Sequence, residues 1–333
     1  MKNPVQVCLT ADIEFVINGA LTQPERHRPS GEDSVYRLCS GREEGLQPLL
    51  EPLQRFGLPA TFFVESLQCI YFGLDPMRRV VDRLRRVPQM DLQLHVHPCW
   101  LNFREADWPV RVKDHGTHDA MAGRGAELDG IIAEAHNFFY QLTGQQALAM
   151  RTGNLSVDLA VYAAQARNGI PLASSIGTAL QASPDAVLRQ YGGLLRHEGV
   201  VEIPVTSFKA LGPRGPMDKL LTLAGNSLWQ ICNLLDWAYE TQAGPIVVLT
   251  HASEMADSPG LVSPPVFSPL RRNQRRWELL CKHLNGNRDR FNVCSFAQAR
   301  PQWQQQPARV MNAFDGGIAA PISQMLAKVG VIA

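Results

Sequence analysis

The stretch Val5-Gln6-Val7-Cys8-Leu9-Thr10-Ala11-Asp12-Ile13-Glu14 is an apolar run that closes on two carboxylates. Side chains alternate along an extended strand, so Asp12 and Glu14 share one face at its end. Runs of the same kind recur at Ala60 to Val64, Leu92 to His97, Ala147 to Met150, Ile170 to Ala173, Val200 to Val205, Ile246 to Thr250 and Phe291 to Phe296. With Val5 to Ala11 they predict eight strands. Thr61-Phe62-Phe63-Val64 and Ile246-Val247-Val248-Leu249 are apolar on both faces, the pattern of parallel strands covered by helices.

Helical spacing fills the gaps, at residues 46–56, 76–87, 127–143, 157–168, 218–240 and 270–284. Asp75 before Pro76 is a start signal, and Gly57 and Gly169 stand where C-caps belong. Strand and helix alternate along the chain, which predicts one α/β barrel over residues 1–300 rather than two domains. Residues 18–45, rich in Gly, Pro, Arg and Glu, read as a long loop after the first strand. Residues 301–333 read as a C-terminal tail with a short helix at about 316–329.

Composition excludes several classes. The 333 residues carry 32 Lys+Arg against 31 Asp+Glu, a formal charge of +1, which leaves no overall field for nucleic acid or an anionic membrane. No apolar run approaches the ~20 residues of a spanning helix. Neither G-x-x-x-x-G-K-[ST] nor G-x-G-x-x-G occurs, so nucleotide-driven chemistry is not expected. The seven cysteines are odd in number and hold no C-x-x-C pair, against a disulfide framework. The first ten residues lack the apolar core of a signal peptide, and the expected compartment is the cytoplasm.

In sheets of this kind ligands gather where strands end, so the polar residues closing each run are the candidates. The third run closes His95-Val96-His97-Pro98, with both imidazoles on one face. Two nitrogens, one carboxylate oxygen and a water are what Zn²⁺ accepts. A second carboxylate is then left to take a proton from that water. The fourth run closes Met150-Arg151-Thr152-Gly153-Asn154, and a buried arginine needs a carboxylate, here Asp12 or Glu14. The seventh closes Leu249-Thr250-His251-Ala252-Ser253-Glu254, where His251 is suited to protonate a leaving group. Each of these alone also reads as a solvated strand end, a structural ion pair or a capping histidine.

The ordered set Thr10-x-Asp12-x-Glu14, Ala60-Thr61-Phe62-Phe63-Val64, Leu94-His95-Val96-His97-Pro98, Arg151-x-Gly153-Asn154, Ile203-Pro204-Val205 and Leu249-Thr250-His251 resembles the polysaccharide deacetylases. These are the NodB homology proteins, carbohydrate esterase family 4. The likeness is to a branch with D-x-E and H-x-H, and it spans residues 5 to 297. It implies a distorted (β/α)7 barrel and a divalent metal, Zn²⁺ first and Co, Ni, Fe or Mn otherwise. The reaction it implies is removal of an N- or O-acyl group from a sugar of a polysaccharide or sugar-lipid precursor.

By that resemblance Asp12 matches the catalytic base, His95 and His97 the metal histidines, and Glu14 the metal carboxylate. Arg151 matches the arginine that orients the base, and His251 the general acid. Trp100 and Asn154 are the candidate substrate contacts, Trp100 by stacking on a sugar ring or, alternatively, by packing in the core. The sequence departs from the family at Ala173, near the place of an aspartate that tunes the acid histidine. Hydrolysis of a cyclic amide and a non-catalytic carbohydrate-binding barrel are the alternative readings.

The remaining polar clusters have plainer expectations. Arg78, Arg79, Arg83, Arg85 and Arg86 predict a solvated helix face, as do Arg271, Arg272, Arg275 and Arg276 unless they reach an anionic substrate. Cys99 is expected as a small buried residue, and His115 and His118 as loop residues near the mouth.

Overall fold

The computed structural model describes residues 2–115, 119–212, 215–258 and 266–316. His118 and the tail helix expected at about 316–329 lie outside these residues, as does the side chain of His115. All eight predicted strands form: β1 Val5–Ile13, β2 Ala60–Glu65, β3 Met90–Val96, β4 Ala149–Thr152, β5 Leu172–Ala173, β6 Val200–Glu202, β7 Ile246–His251 and β8 Phe291–Val293. The first seven lie parallel in the order β7-β1-β2-β3-β4-β5-β6. β8 pairs with Val5 to Val7 of β1, ahead of the point where β2 joins that strand.

The seam between β6 and β7 is closed by irregular chain. Thr206 N–H donates to the Val247 carbonyl, and Leu249 exchanges bonds with Leu221 and Leu223. Seven parallel strands with one irregular seam make the curled sheet the distorted (β/α)7 barrel expected. Gly193–His197 runs antiparallel beside β6, and Arg309–Val310 beside that strand.

Period two decides the two faces. Val7, Leu9, Ala11 and Ile13 of β1 pack outward in the core between sheet and helices. Cys8 points inward, where it meets Phe63, Ala149, Leu172, Val247 and Leu249 in a second core inside the barrel. Thr10 and Asp12 continue that inner face toward the mouth. Trp303 fills the barrel floor, fully buried, with its indole N–H donating to Gln6 Oε1 at 2.8 Å. All seven cysteines are free, and the Cys8 and Cys294 sulfurs lie 4.0 Å apart inside the barrel.

The helices of nine or more residues are α1 Leu46–Phe56, α2 Asp75–Arg85, α3 Leu128–Thr143, α4 Leu159–Arg167, α5 Leu228–Thr241, α6 Arg271–Gly286 and α7 Phe296–Gln305; shorter ones span Asp33–Tyr36, Cys69–Phe72 and Trp108–His115, so His115 ends a helix rather than lying in a loop. Most ends shift by one to three residues from the sequence reading, and two boundaries differ by more. The helix expected from residue 218 starts at Leu228, because Ser207–Gly212 and Gly215–Leu220 pair as a hairpin and Ser227 then caps α5 by accepting from Gln230 N–H. The tail expected from residue 301 begins inside α7. Asp75 stands in the first turn of α2, where it pairs with Arg78 at 2.9 Å rather than capping the helix.

Arg79 of the same helix forks onto Glu32 at 2.6 and 2.8 Å, and Arg271 onto the buried Glu44 at 2.8 and 2.9 Å. Arg276 is buried rather than solvated, donating to the Leu223 carbonyl at 2.7 Å. These clusters therefore tie elements together. The long loop is held in the same way: buried Arg37 donates to the carbonyls of Ser34 and Ala256, at 2.8 and 2.6 Å. Among the described residues no helix is long and apolar enough to cross a membrane.

Candidate active site

Because β1, β3, β4 and β7 are parallel and adjacent in two pairs, their C-terminal ends meet at one mouth. Asp12 stands in register with His251 across the β1–β7 ladder, and His95 with Arg151 across β3–β4. A cavity of about 180 Å³ opens there, lined by Asp12, Glu14, His95, His97 and His251 together with Leu155, Leu180 and Leu249. The six polar residues that closed the predicted strands thus come together, with Arg151 beneath the cavity.

Arg151 is fully buried, a costly position for a guanidinium unless every donor is answered. Its Nη1 donates to Asp12 Oδ1 at 2.6 Å and to Thr10 Oγ1 at 3.1 Å. Its Nε and Nη2 donate to the Ser174 carbonyl and hydroxyl at 3.0 and 2.9 Å, and its plane covers the Phe63 ring at 4.1 Å. The pairing leaves Asp12 Oδ2 free, 3.7 Å from His95 Nε2 and 3.8 Å from His251 Nε2.

Glu14 Oε2 lies 3.3 Å from His95 Nε2 and 2.9 Å from His97 Nε2. Burial works against the Glu14 carboxylate, but the two imidazoles, His97 foremost, hold it well below the usual carboxylate range. Both rings are engaged on their other nitrogen: His95 Nδ1 with the Arg151 carbonyl at 2.9 Å, His97 Nδ1 with Asp119 Oδ2 at 2.7 Å. Were Nε2 to give up its proton to an incoming ion, a ring whose Nδ1 donates to an acceptor would present a lone pair there. The three donor atoms lie within 4.8 Å of one another. Their separations from Glu14 approach the ~3.3 Å edge of a tetrahedron built on bonds of ~2.0 Å, so the set could hold a divalent ion.

His251 carries a carboxylate partner from its own strand end. Glu254 Oε1 lies 3.3 Å from His251 Nδ1, and Glu254 Oε2 accepts from Thr250 Oγ1 at 2.9 Å and from Ala224 N–H at 3.3 Å. Burial lowers the affinity of His251 for a proton, but Glu254 and then Asp12 outweigh it and push its pKa up to about 9. Ala173 does leave that strand end without a carboxylate, as the sequence showed. The partner comes instead from the 3₁₀ turn Ala252–Glu254.

The two candidate substrate contacts stand in different places, Trp100 in the core and Asn154 at the cavity. Trp100 is 1% exposed, packed edge-on against Phe72 and tilted on Phe103, because the 3₁₀ turn Pro98–Phe103 aims its ring into the core. Asn154 lines the cavity, but its amide donates to Asp119 Oδ2 at 2.7 Å. Cys99 is buried, as expected, and burial pushes its thiol up to about 12.

Sequence reasoning missed Asp119, Glu254, Glu65 and Ser174. Glu65 is a buried strand-end carboxylate whose two oxygens accept from the backbone N–H groups of Leu67 and His97, fixing the turn that carries His97. It closes its run as Asp12 does, and that signal was available. Gly153 is required by close approach: a Cβ there would sit 2.3 Å from His97 Nδ1.

No protein-family model matches the sequence, and no curated protein matches it. Solved structures do. A provisionally assigned polysaccharide deacetylase of Mycobacterium smegmatis superposes with a TM-score of 0.56 at 12% identity, over 94% of this chain and 96% of that one. A family 4 carbohydrate esterase of Streptomyces lividans, solved with acetate, gives 0.38 at 15% identity over 89% and 93% of the two chains. A family 4 pseudoenzyme of Bacillus anthracis gives 0.43 at 11% over 89% and 66%. The first of these, at 0.56, bears out at the level of architecture the resemblance read from the ordered motifs: this chain has the NodB-type fold of the polysaccharide deacetylases.

Proposed function

We propose that this protein is a metal-dependent hydrolase that removes an N- or O-acyl group from a sugar of a polysaccharide or sugar-lipid precursor. The observation that carries the reading is the division of labour around one small cavity. Glu14, His95 and His97 would hold the ion, while Asp12 keeps one oxygen free beside them and His251 stands next to it at the end of the neighbouring strand β7. An ion held by Glu14, His95 and His97 would supply Lewis-acid polarisation of the acyl oxygen and a water of lowered pKa.

The chain's own residues supply the proton transfers. Arg151 holds Asp12 Oδ1, so the carboxylate is oriented with Oδ2 toward the cavity, where it takes a proton from the attacking water. His251, charged at neutral pH because its pKa lies at about 9, hands the Nε2 proton to the departing amine or alcohol as the acyl bond breaks. Glu254 keeps the other proton of that ring at Nδ1. Leu155, Leu180 and Leu249 form the apolar wall against which the hydrocarbon end of the acyl group lies.

The contact between Glu254 and His251 supports catalysis over the non-catalytic reading, since the carboxylate missing at Ala173 is supplied by another residue. The test is acetate release from acetylated chitooligosaccharides, xylan and peptidoglycan by purified protein, with and without added Zn²⁺ or Co²⁺. Metal-dependent release that Asp12→Asn lowers by about 10²-fold or more is the expected result. Protein that binds no divalent ion and releases no acyl group refutes the proposal.

A further inference from the structure

His97 is held on both faces of its function. Its Nε2 meets Glu14 in the cavity, and behind it Nδ1 lies 2.7 Å from Asp119 Oδ2. That carboxylate is itself fixed by two other donors, Cys99 N–H onto Oδ1 at 3.2 Å and Asn154 Nδ2 onto Oδ2 at 2.7 Å. Asn154 adopts φ 53°, ψ 17°, and Leu155 follows at φ 52°, left-handed conformations that residues with side chains rarely adopt. The turn after β4 is thus held in an unusual shape, and the amide it displays is engaged by Asp119.

A neutral imidazole has one N–H and one lone pair, and the partner of the first decides where the second points. His95 gives its Nδ1 to a backbone carbonyl, whereas His97 gives it to a carboxylate. We infer that Asp119, steadied by Asn154, is a positioning residue that fixes the tautomer and orientation of His97 and so sets the affinity of the site for its divalent ion. The inference rests on the metal-centre reading above. Asp119 together with His97 and Cys99 also has the composition of a second cation site. Its two oxygens, however, are already answered by three donors, which suits a support rather than a ligand.

The experiment is a competition titration of chelator-stripped full-length protein with Zn²⁺ against a chromophoric chelator, repeated with Co²⁺ for its visible spectrum. Wild type is expected to bind one equivalent. Asp119→Ala should weaken binding by about 10–100-fold, the usual loss when such a partner of a ligating histidine is removed. Asp119→Asn, which keeps an acceptor and the shape but not the charge, should fall between, and Asn154→Ala should lose less than Asp119→Ala. The Co²⁺ spectrum of Asp119→Ala should change, while melting of the metal-free Asp119→Asn protein should match wild type. Both Asp119 variants folded and binding within twofold of wild type would overturn the inference. So would two equivalents in wild type falling to one in Asp119→Ala, which would make Asp119 a ligand. Wild type that binds no divalent ion is a different failure, because it removes the metal centre itself.

Discussion

Adding a single methyl group at Gly153 tests whether the cavity is built to the tolerance that metal chemistry needs. A Cβ on Gly153 would lie 2.3, 2.5 and 2.6 Å from the Nδ1, Cε1 and Cγ atoms of His97. Ordinary contact between such atoms begins near 3.5 Å, so the ring or the backbone must yield by roughly 1 Å. The backbone has little room. Arg151 is pinned two residues earlier by four hydrogen bonds, and Leu155 is buried two residues later. The ring therefore moves, and Nε2 moves with it from its place 2.9 Å from Glu14.

Metal–ligand distances tolerate about 0.2 Å, and a misplacement of about 1 Å at a reacting centre costs on the order of 10²-fold in rate. Gly153→Ala is expected to lower Zn²⁺ affinity at least about tenfold and turnover by about 10²-fold, with overpacking costing about 1–3 kcal/mol of stability. The assays are chelator competition, acyl release and thermal melting on the same preparation. A folded Gly153→Ala protein with wild-type metal affinity and turnover would show that His97 is free to shift and that its position does not limit the site.

Three further outcomes follow from the same geometry. Asp12→Asn keeps an acceptor for Arg151 but loses the base, so turnover should fall about 10²–10⁴-fold while glycan binding and the fold remain; undiminished acyl release would exclude Asp12 as the base. Glu254→Gln removes the charge that most favours protonated His251, so the alkaline limb of the rate profile, near pH 9 in wild type, should move to lower pH; an unmoved limb would separate Glu254 from His251. Burial raises Glu202 from 4.5 to about 7, although Ser175 N–H, Ile176 N–H and the Tyr162 hydroxyl all donate to it. The folded state then binds the proton more tightly, so the contribution is complete below pH 4.5 and is lost as pH rises through 7, about 3 kcal/mol in all. Glu202→Gln should flatten that part of the stability profile measured by urea unfolding between pH 4.5 and 8, and an unchanged slope would assign the dependence elsewhere.

The polar residues that close strands were legible because a strand's period of two is a local property. Once Val5 to Ala11 is a strand, Asp12 must follow Thr10 on the inner face, and the same parity places His95, Arg151 and His251. Parallel order then brings those ends together, so most of the charged centre was readable without coordinates. Asp119 was not, because it comes from an irregular segment 22 residues past His97 and 35 before Asn154. Glu254 was in view but unused, since only the turn after β7 returns its carboxylate to His251. Trp100 illustrates the converse: an aromatic beside a strand end is equally suited to stack or to pack, and the turn Pro98–Phe103 sends it inward.

The sequence by itself therefore determined the barrel and which side chains face its mouth, because strand parity and burial patterns are written along the chain. Tertiary structure alone decided which oxygen of Asp12 stays free, which nitrogen of each histidine is presented, and where His251 finds its carboxylate. Hydrogen bonds of that kind join segments remote in sequence, and their geometry exists only once the loops above the strands have closed over them.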